Sequence, residues 1–194
     1  MAEARPAPRE ARQAILVSQQ GYRHLFGPVP SRRLGRSLGI DPVPHKTCSF
    51  DCVYCQLGPT THHTAERRPY VPATQIIAEL EYWLEQDGCA DYLTLSGSGE
   101  PTLNCEIGDV IHWAQSHTTI PIAVLTNSSL LWDPEVRAQL ATADLLLPSL
   151  DAALASSFAR VNRPCTGLDL DRVLAGLKAM SDEFAGEIWL EVLL

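Results

Sequence analysis

Tyr92-Leu93-Thr94-Leu95-Ser96-Gly97-Ser98-Gly99-Glu100-Pro101-Thr102 reads as a short apolar strand that runs into a turn built of serine and glycine. The same pattern recurs downstream. Pro121 to Leu125 is an apolar run ending at Thr126-Asn127, and Leu145 to Leu147 ends at Ser149 and Asp151. Between these runs the apolar period changes to that of a helix. Ile76, Ile77, Leu80, Trp83 and Leu84 precede the first run, with Gly88 as the stop. Ile107, Val110, Ile111 and Ala114 follow it. Asp133-Pro134 places an N-cap before a proline at the first helical position. Leu170, Val173, Leu174 and Leu177 mark a further helix. Ser37 to Ile40 is a short apolar stretch upstream, and Glu187 to Leu194 reads as a last strand. Strand and helix alternating at this spacing predict parallel βαβ units, an α/β fold. Closed into a barrel or left open, such a sheet gathers the loops past its strand ends on one face. The polar and glycine residues stand in those loops.

The chain has 194 residues, 45% hydrophobic and 20% charged, which fits one globular domain. Residues 1–24, rich in Ala, Arg, Glu and Gln, are read as a flexible tail and 25–194 as the core domain. No apolar run approaches the roughly 18 residues that cross a bilayer. Met1 to Gln20 has no apolar segment of the secretory kind. Six cysteines without such a signal predict a reducing, cytoplasmic setting rather than a disulfide framework. The net charge of -8 argues against a general nucleic-acid coat. Arg32, Arg33, Arg36, Arg67 and Arg68 nevertheless cluster near the cysteines, as solvated loop charges or as phosphate contacts. The final Trp189-Leu190-Glu191-Val192-Leu193-Leu194 has no polar exit. It is read as a buried strand at the end of a C-terminally incomplete domain.

The chemistry concentrates at Cys48-Ser49-Phe50-Asp51-Cys52-Val53-Tyr54-Cys55. Three thiolates on one short loop can hold three corners of an iron–sulfur cube and leave the fourth iron open. Zinc is the competing reading, a site of these three cysteines with His45, His62 or His63 as fourth donor. Cys89, Cys105 and Cys165 are scattered and receive no role. Trp83, Trp113, Trp132 and Trp189 read as packing. Ser96 to Thr102 is no phosphate loop, since the Lys-Ser/Thr of that motif is absent.

C-x3-C-x2-C with Tyr54 before its last cysteine resembles the signature of the radical S-adenosylmethionine (SAM) superfamily. Gly99-Glu100-Pro101 is similar to the family's Gly-Gly-Glu-Pro segment, with Ser98 in place of the first glycine. Thr126-Asn127 and Ser149-Leu150-Asp151 stand where the family carries cofactor contacts. Phe26-Gly27-Pro28-Val29-Pro30-Ser31-Arg32-Arg33-Leu34-Gly35, then Ser37 to Ile40, resembles a subgroup related to wyosine-type tRNA-modifying synthases.

The resemblance implies a partial parallel (β/α) barrel, here truncated after about five strands. Cys48, Cys52 and Cys55 would hold a 4Fe-4S cluster whose open iron binds the amine and carboxylate of SAM. Tyr54 would border the adenine, and Ser98, Gly99 and Glu100 would approach the methionine amine. Asn127 and Ser128 would bond the ribose or carboxylate, and Ser149 and Asp151 would make similar cofactor contacts. An ordinary role for Asp151 is to cap a helix at Ala152 to Ala159. Arg163 would pair with a carboxylate or lie on the surface. The implied reaction takes one electron from an external flavodoxin- or ferredoxin-like donor. It cleaves SAM to a 5′-deoxyadenosyl radical, which removes hydrogen from a substrate. That substrate is a tRNA base on the narrower resemblance, or else a small molecule or protein. A non-catalytic zinc or iron–sulfur binding module stands against all of these.

Overall fold

A computed structural model of the chain describes residues 21–193. The tail assigned to 1–24 lies mostly outside them. Its last residues are docked: Tyr22 packs on the core, and the Arg23 and His24 amides donate to the Glu79 carboxylate at 3.0 and 2.9 Å.

The strands are β1 (Leu25–Ser31), β2 (Gly35–Ile40), β3 (Thr47–Cys48), β4 (His62–His63), β5 (Tyr92–Leu95), β6 (Ile122–Thr126), β7 (Leu145–Pro148) and β8 (Glu187–Ile188). The helices are α1 (Ala73–Glu85), α2 (Ile107–His117), α3 (Pro134–Leu140), α4 (Ala155–Val161) and α5 (Leu170–Glu183). A single 3-10 turn covers Pro101–Leu103. Six strands form one sheet in the order β1-β2-β5-β6-β7-β8, and β3 pairs with β4 separately. From β2 to β8 every pairing is parallel, which requires the helical crossovers that the sequence supplies. These five parallel strands are the five expected from the sequence.

β1 is an addition. It pairs antiparallel with β2 through a tight hairpin. Its prolines, Pro28 and Pro30, suit an edge strand, where a missing amide costs no ladder bond. β8 is shorter than expected and not buried. The chain beyond it follows β7, with Trp189 N to Leu146 O at 2.9 Å and Glu191 N to Pro148 O at 2.8 Å. Leu190, Val192 and Leu193 are exposed on the open side. An apolar run at a sheet edge has only one flank to bury it. The helix expected at Ala152 begins at Ala155, and no side chain caps it.

Alternate strand residues feed two cores, as the two-residue period requires. Leu93, Leu95, Ile122, Val124 and Leu146 face the helices and pack with Ile76, Leu80, Ile107 and Ile111. On the inner face, Ala123, Leu145 and Leu147 receive Leu34, from the β1–β2 turn. A third cluster, Phe50, Phe158, Cys165, Leu168 and Val173, fastens the cysteine loop to α4 and α5. Among the described residues no helix is long and apolar enough to cross a membrane.

Candidate functional site

Cys48 ends β3, and Cys52 and Cys55 follow on a loop of turns. All three thiols are free and partly buried. Each sulfur has its own nitrogen donor, from a different part of the chain. Asn127 Nδ2, past β6, lies 3.5 Å from Cys48 Sγ. Asn162 Nδ2, past α4, lies 3.6 Å from Cys52 Sγ. Lys46 Nζ lies 3.1 Å from Cys55 Sγ. Such donors favour thiolate, the form that binds metal. Burial works the other way, pushing the Cys48 thiol up to about 12 and raising that of Cys52. A bound metal centre offsets that penalty, because its positive charge deprotonates the thiol.

The loop is clamped on one side by the segment after α4. Asp51 N donates to Asn162 O at 3.0 Å, Val53 N to Val161 O at 2.9 Å, and Cys165 N to Ser49 O at 2.9 Å. Phe50 meets Phe158 edge-on at 5.3 Å. On the other side the loop rests on the turn after β5. Lys46 N donates to Ser98 O at 2.8 Å and Glu100 N to Thr47 O at 3.0 Å. A Cβ on Gly99 would sit 1.9 Å from Thr47 O, so only glycine fits there. Gly97 takes φ +125°, and Asp41 Oδ2 accepts from Ser98 N at 3.1 Å and Ser98 Oγ at 2.5 Å.

Glu100 ties the loops together from inside. Its carboxylate is 2% exposed and accepts from Thr102 N (3.1 Å), Thr102 Oγ1 (2.6 Å), Thr126 Oγ1 (2.7 Å) and Asn127 N (2.7 Å). Burial raises the pKa of this carboxyl, and the same donors pull it back. The resemblance places this side chain near an ammonium; in the structure its carboxylate already has four internal donors.

Cys48, Gly99, Glu100, Asn127 and Ser149 line one cleft of about 410 Å³, with Phe26 and Glu191 on its wall. The other expected contacts stand elsewhere. Ser98 is spent on Asp41. Ser128 is fully buried at φ +69°, and its hydroxyl donates to Ser149 O at 2.8 Å, holding the end of β7. Tyr54 OH donates to Asp151 Oδ2, and Asn162 Nδ2 reaches both, at 3.4 and 3.2 Å. Burial, then the Asp151 carboxylate, push the Tyr54 phenol up. Asp151 Oδ1 also accepts from Leu193 N at 3.1 Å, so Asp151 braces the cysteine loop instead of capping α4.

Three histidines are the candidate fourth donors of a zinc site. His45 is exposed, His62 packs edge-on against Tyr70, and His63 Nε2 lies 3.1 Å from Ser49 O. Among the described residues no three His, Cys, Asp or Glu side chains converge as a single-ion site. Three separately supported sulfurs on one loop, with Cys48 opening on the cleft, fit a thiolate-held cluster with one free corner.

Most of the arginines are engaged within the chain. Arg33 pairs with Glu191, Arg36 with Asp91 (3.7 Å), Arg67 with Glu135 (3.3 Å) and Arg68 with Glu66 (2.5 Å). Arg67 also donates to Thr102 O at 3.1 Å. Arg163 lies on the surface, 3.5 Å from Asp51. Sequence reasoning gave no role to Lys46, Asp41, Asn162 or Glu191. Their signal is positional only: Lys46 stands two residues before Cys48, and Asp41 stands directly past β2.

A family model described as the radical SAM superfamily matches residues 43–191. A Brachyspira hyodysenteriae protein named GTPase Obg is 41% identical over 192 residues, 96% of this chain and 28% of that one. A UPF0026 protein of Synechocystis is 42% identical over 165 residues, 84% of this chain and 62% of that one. The chain thus spans less than two thirds of either relative. Among solved structures, anSMEcpe with bound AdoMet aligns with TM-score 0.59 at 17% identity, covering 79% of this chain and 42% of that one. TYW1 with a lysine-pyruvate adduct aligns with TM-score 0.54 at 17% identity, covering 95% and 63%. At that identity the structural likeness is one of fold.

Proposed function

Because the chain belongs to the radical SAM superfamily, we propose that Cys48, Cys52 and Cys55 hold a 4Fe-4S cluster and that SAM binds in the adjoining cleft. When bound, these groups supply reductive cleavage of SAM to methionine and a 5′-deoxyadenosyl radical, using an electron from a flavodoxin- or ferredoxin-like donor. The chain's own residues do the placing. Asn127 steadies Cys48 through Nδ2 while its backbone amide is fixed by Glu100. Gly99 brings bare backbone to the cleft, where its carbonyl is an acceptor for an ammonium. Phe26 and Leu125 give the cleft apolar wall. Tyr54, held by Asp151 and Asn162, presents a ring at the rim of the loop for a planar base.

The observation that carries this reading is the cysteine loop itself: three sulfurs, three separate N–H donors, and Cys48 opening on the cleft. The AdoMet in the anSMEcpe structure supports the cofactor assignment. For the substrate we propose a tRNA base, on the likeness of residues 26–40 to the wyosine-type subgroup and on the fold shared with TYW1. A small molecule or protein is the other reading.

Anaerobic reconstitution with iron and sulfide, followed by dithionite and SAM, tests the proposal. We expect about four irons per chain, as the cluster formula requires, and 5′-deoxyadenosine that disappears in Cys52→Ala. Zinc without iron would overturn it. A cluster that yields no deoxyadenosine would leave a binding module.

A further inference from the structure

Lys46 is set apart from the other two sulfur donors by its charge and its backbone conformation. It is 3% exposed. Its ammonium reaches Cys55 Sγ at 3.1 Å, and no carboxylate among the described residues forms an ion pair with it. A buried cation without a counter-anion is costly, and proteins retain one where an anionic partner completes the site. The backbone sharpens the point. Lys46 sits at φ +59°, the left-handed region that a residue with a Cβ enters at a cost and glycine enters freely. Its amide is tied to Ser98 O, and its carbonyl accepts from Thr61 N at 3.2 Å and His62 N at 3.0 Å. The chain therefore holds a long cationic side chain in a conformation that favours glycine, and aims it at one cysteine of the loop.

We infer that Lys46 is the built-in counter-cation of the cysteine-held cluster, a positioning residue that raises its affinity and makes its reduction easier. The inference rests on the cluster reading above. Three thiolates bring three negative charges to the loop, and one-electron reduction adds another. A fixed ammonium within hydrogen-bond reach of Cys55 stabilises the more negative state more strongly, because the pair lies in a medium of low effective dielectric. Direct hydrogen bonding from the ammonium to sulfur acts in the same direction. Asn127 and Asn162 offer neutral N–H groups to the other two sulfurs, so Lys46 alone of these donors carries charge.

The test compares wild type with Lys46→Met, Lys46→Gly and Lys46→Arg after anaerobic reconstitution. Iron per chain, the midpoint potential from an EPR-monitored dithionite titration, and the urea midpoint of the apo-protein are read. Wild-type iron content, read first, tests the cluster reading alone. Given a wild-type cluster, Lys46→Met and Lys46→Gly should lower the reduced-to-oxidised ratio at fixed potential about tenfold, or about 59 mV for one electron. Lys46→Arg, which keeps the charge, should stay within about twofold. Lys46→Gly should be at least as stable as wild type, since it relieves the left-handed backbone. Loss of the cluster from the Met and Gly variants but not from the Arg variant supports the same conclusion through affinity. Potentials unmoved in both neutral variants overturn it. So does a loss of cluster in all three, which would make Lys46 a matter of shape rather than charge.

Discussion

At residue 99 the backbone of one loop rests directly on the backbone of another. The missing Cβ of Gly99 leaves the space that Thr47 O fills, and the Glu100 amide bonds that same carbonyl. Gly99→Ala must push β3, and Cys48 at its end, out of place. Overpacking of this kind costs about 1–3 kcal/mol. We expect the urea midpoint to fall accordingly and reconstituted iron to fall with it. An unchanged midpoint with full iron would mean that the cysteine loop is not seated on this turn. The sequence showed that a tight turn with bare backbone was needed here. It could not show what the backbone approaches, because Thr47 is 52 positions away and carries no pattern of its own. Glu100 repeats the lesson. A carboxylate past a strand end reads as a ligand contact, and only the fold reveals Thr102, Thr126 and Asn127 as its donors.

The segment Val161–Cys165 acts as a unit against the cysteine loop. It supplies backbone acceptors to Asp51 and Val53, a donor to Ser49 O, and the Asn162 amide that touches Cys52, Tyr54 and Asp151 together. Replacing an outer-shell partner of a metal ligand commonly lowers metal affinity about 10–100-fold. Asn162→Ala should therefore shed iron to a chelator at least about tenfold faster than wild type, within that range, with an unchanged far-UV circular dichroism spectrum. Equal rates of loss would show that the backbone clamp suffices without the side chain. At this scale the sequence was legible wherever an element is long and periodic. α1, α2 and α5 and the parallel strands β2, β5, β6 and β7 fall where apolar spacing put them. It was not legible at the edges of the sheet. β1 buries only Leu25 fully and carries two prolines, so it has no alternation to read. The run after β8 is apolar yet exposed, so hydrophobicity there did not mean burial. The pairing of Asp151 with Tyr54 spans 97 positions, and the local sequence offers only a cofactor contact or a helix cap.

Across the whole molecule the charge pattern bears on the substrate. Net charge is -8, and Arg33, Arg36, Arg67 and Arg68 each pair with a carboxylate of the same chain. Arg67, nearly buried and bonded to Thr102 O, holds the loop before α1 to the turn after β5. The Arg33–Glu191 pair links the β1–β2 hairpin to the chain beyond β8, from one edge of the sheet to the other. Arg32, at the exposed hairpin tip, has no such partner among the described residues. An RNA phosphate would thus have to displace a carboxylate at four of the five clustered arginines. Each phosphate neutralised contributes about -0.7 to -0.9 to the slope of log K against log salt. With Arg32 and at most one exchanged partner in contact, this chain should bind tRNA with a slope no steeper than about -2. Fluorescence anisotropy between about 50 and 200 mM salt measures it. A slope beyond about -4 would show that the arginines release their carboxylates to RNA and form one basic surface. A shallow slope with weak binding would leave base recognition in the cleft, or chain beyond these residues, to supply any tRNA affinity.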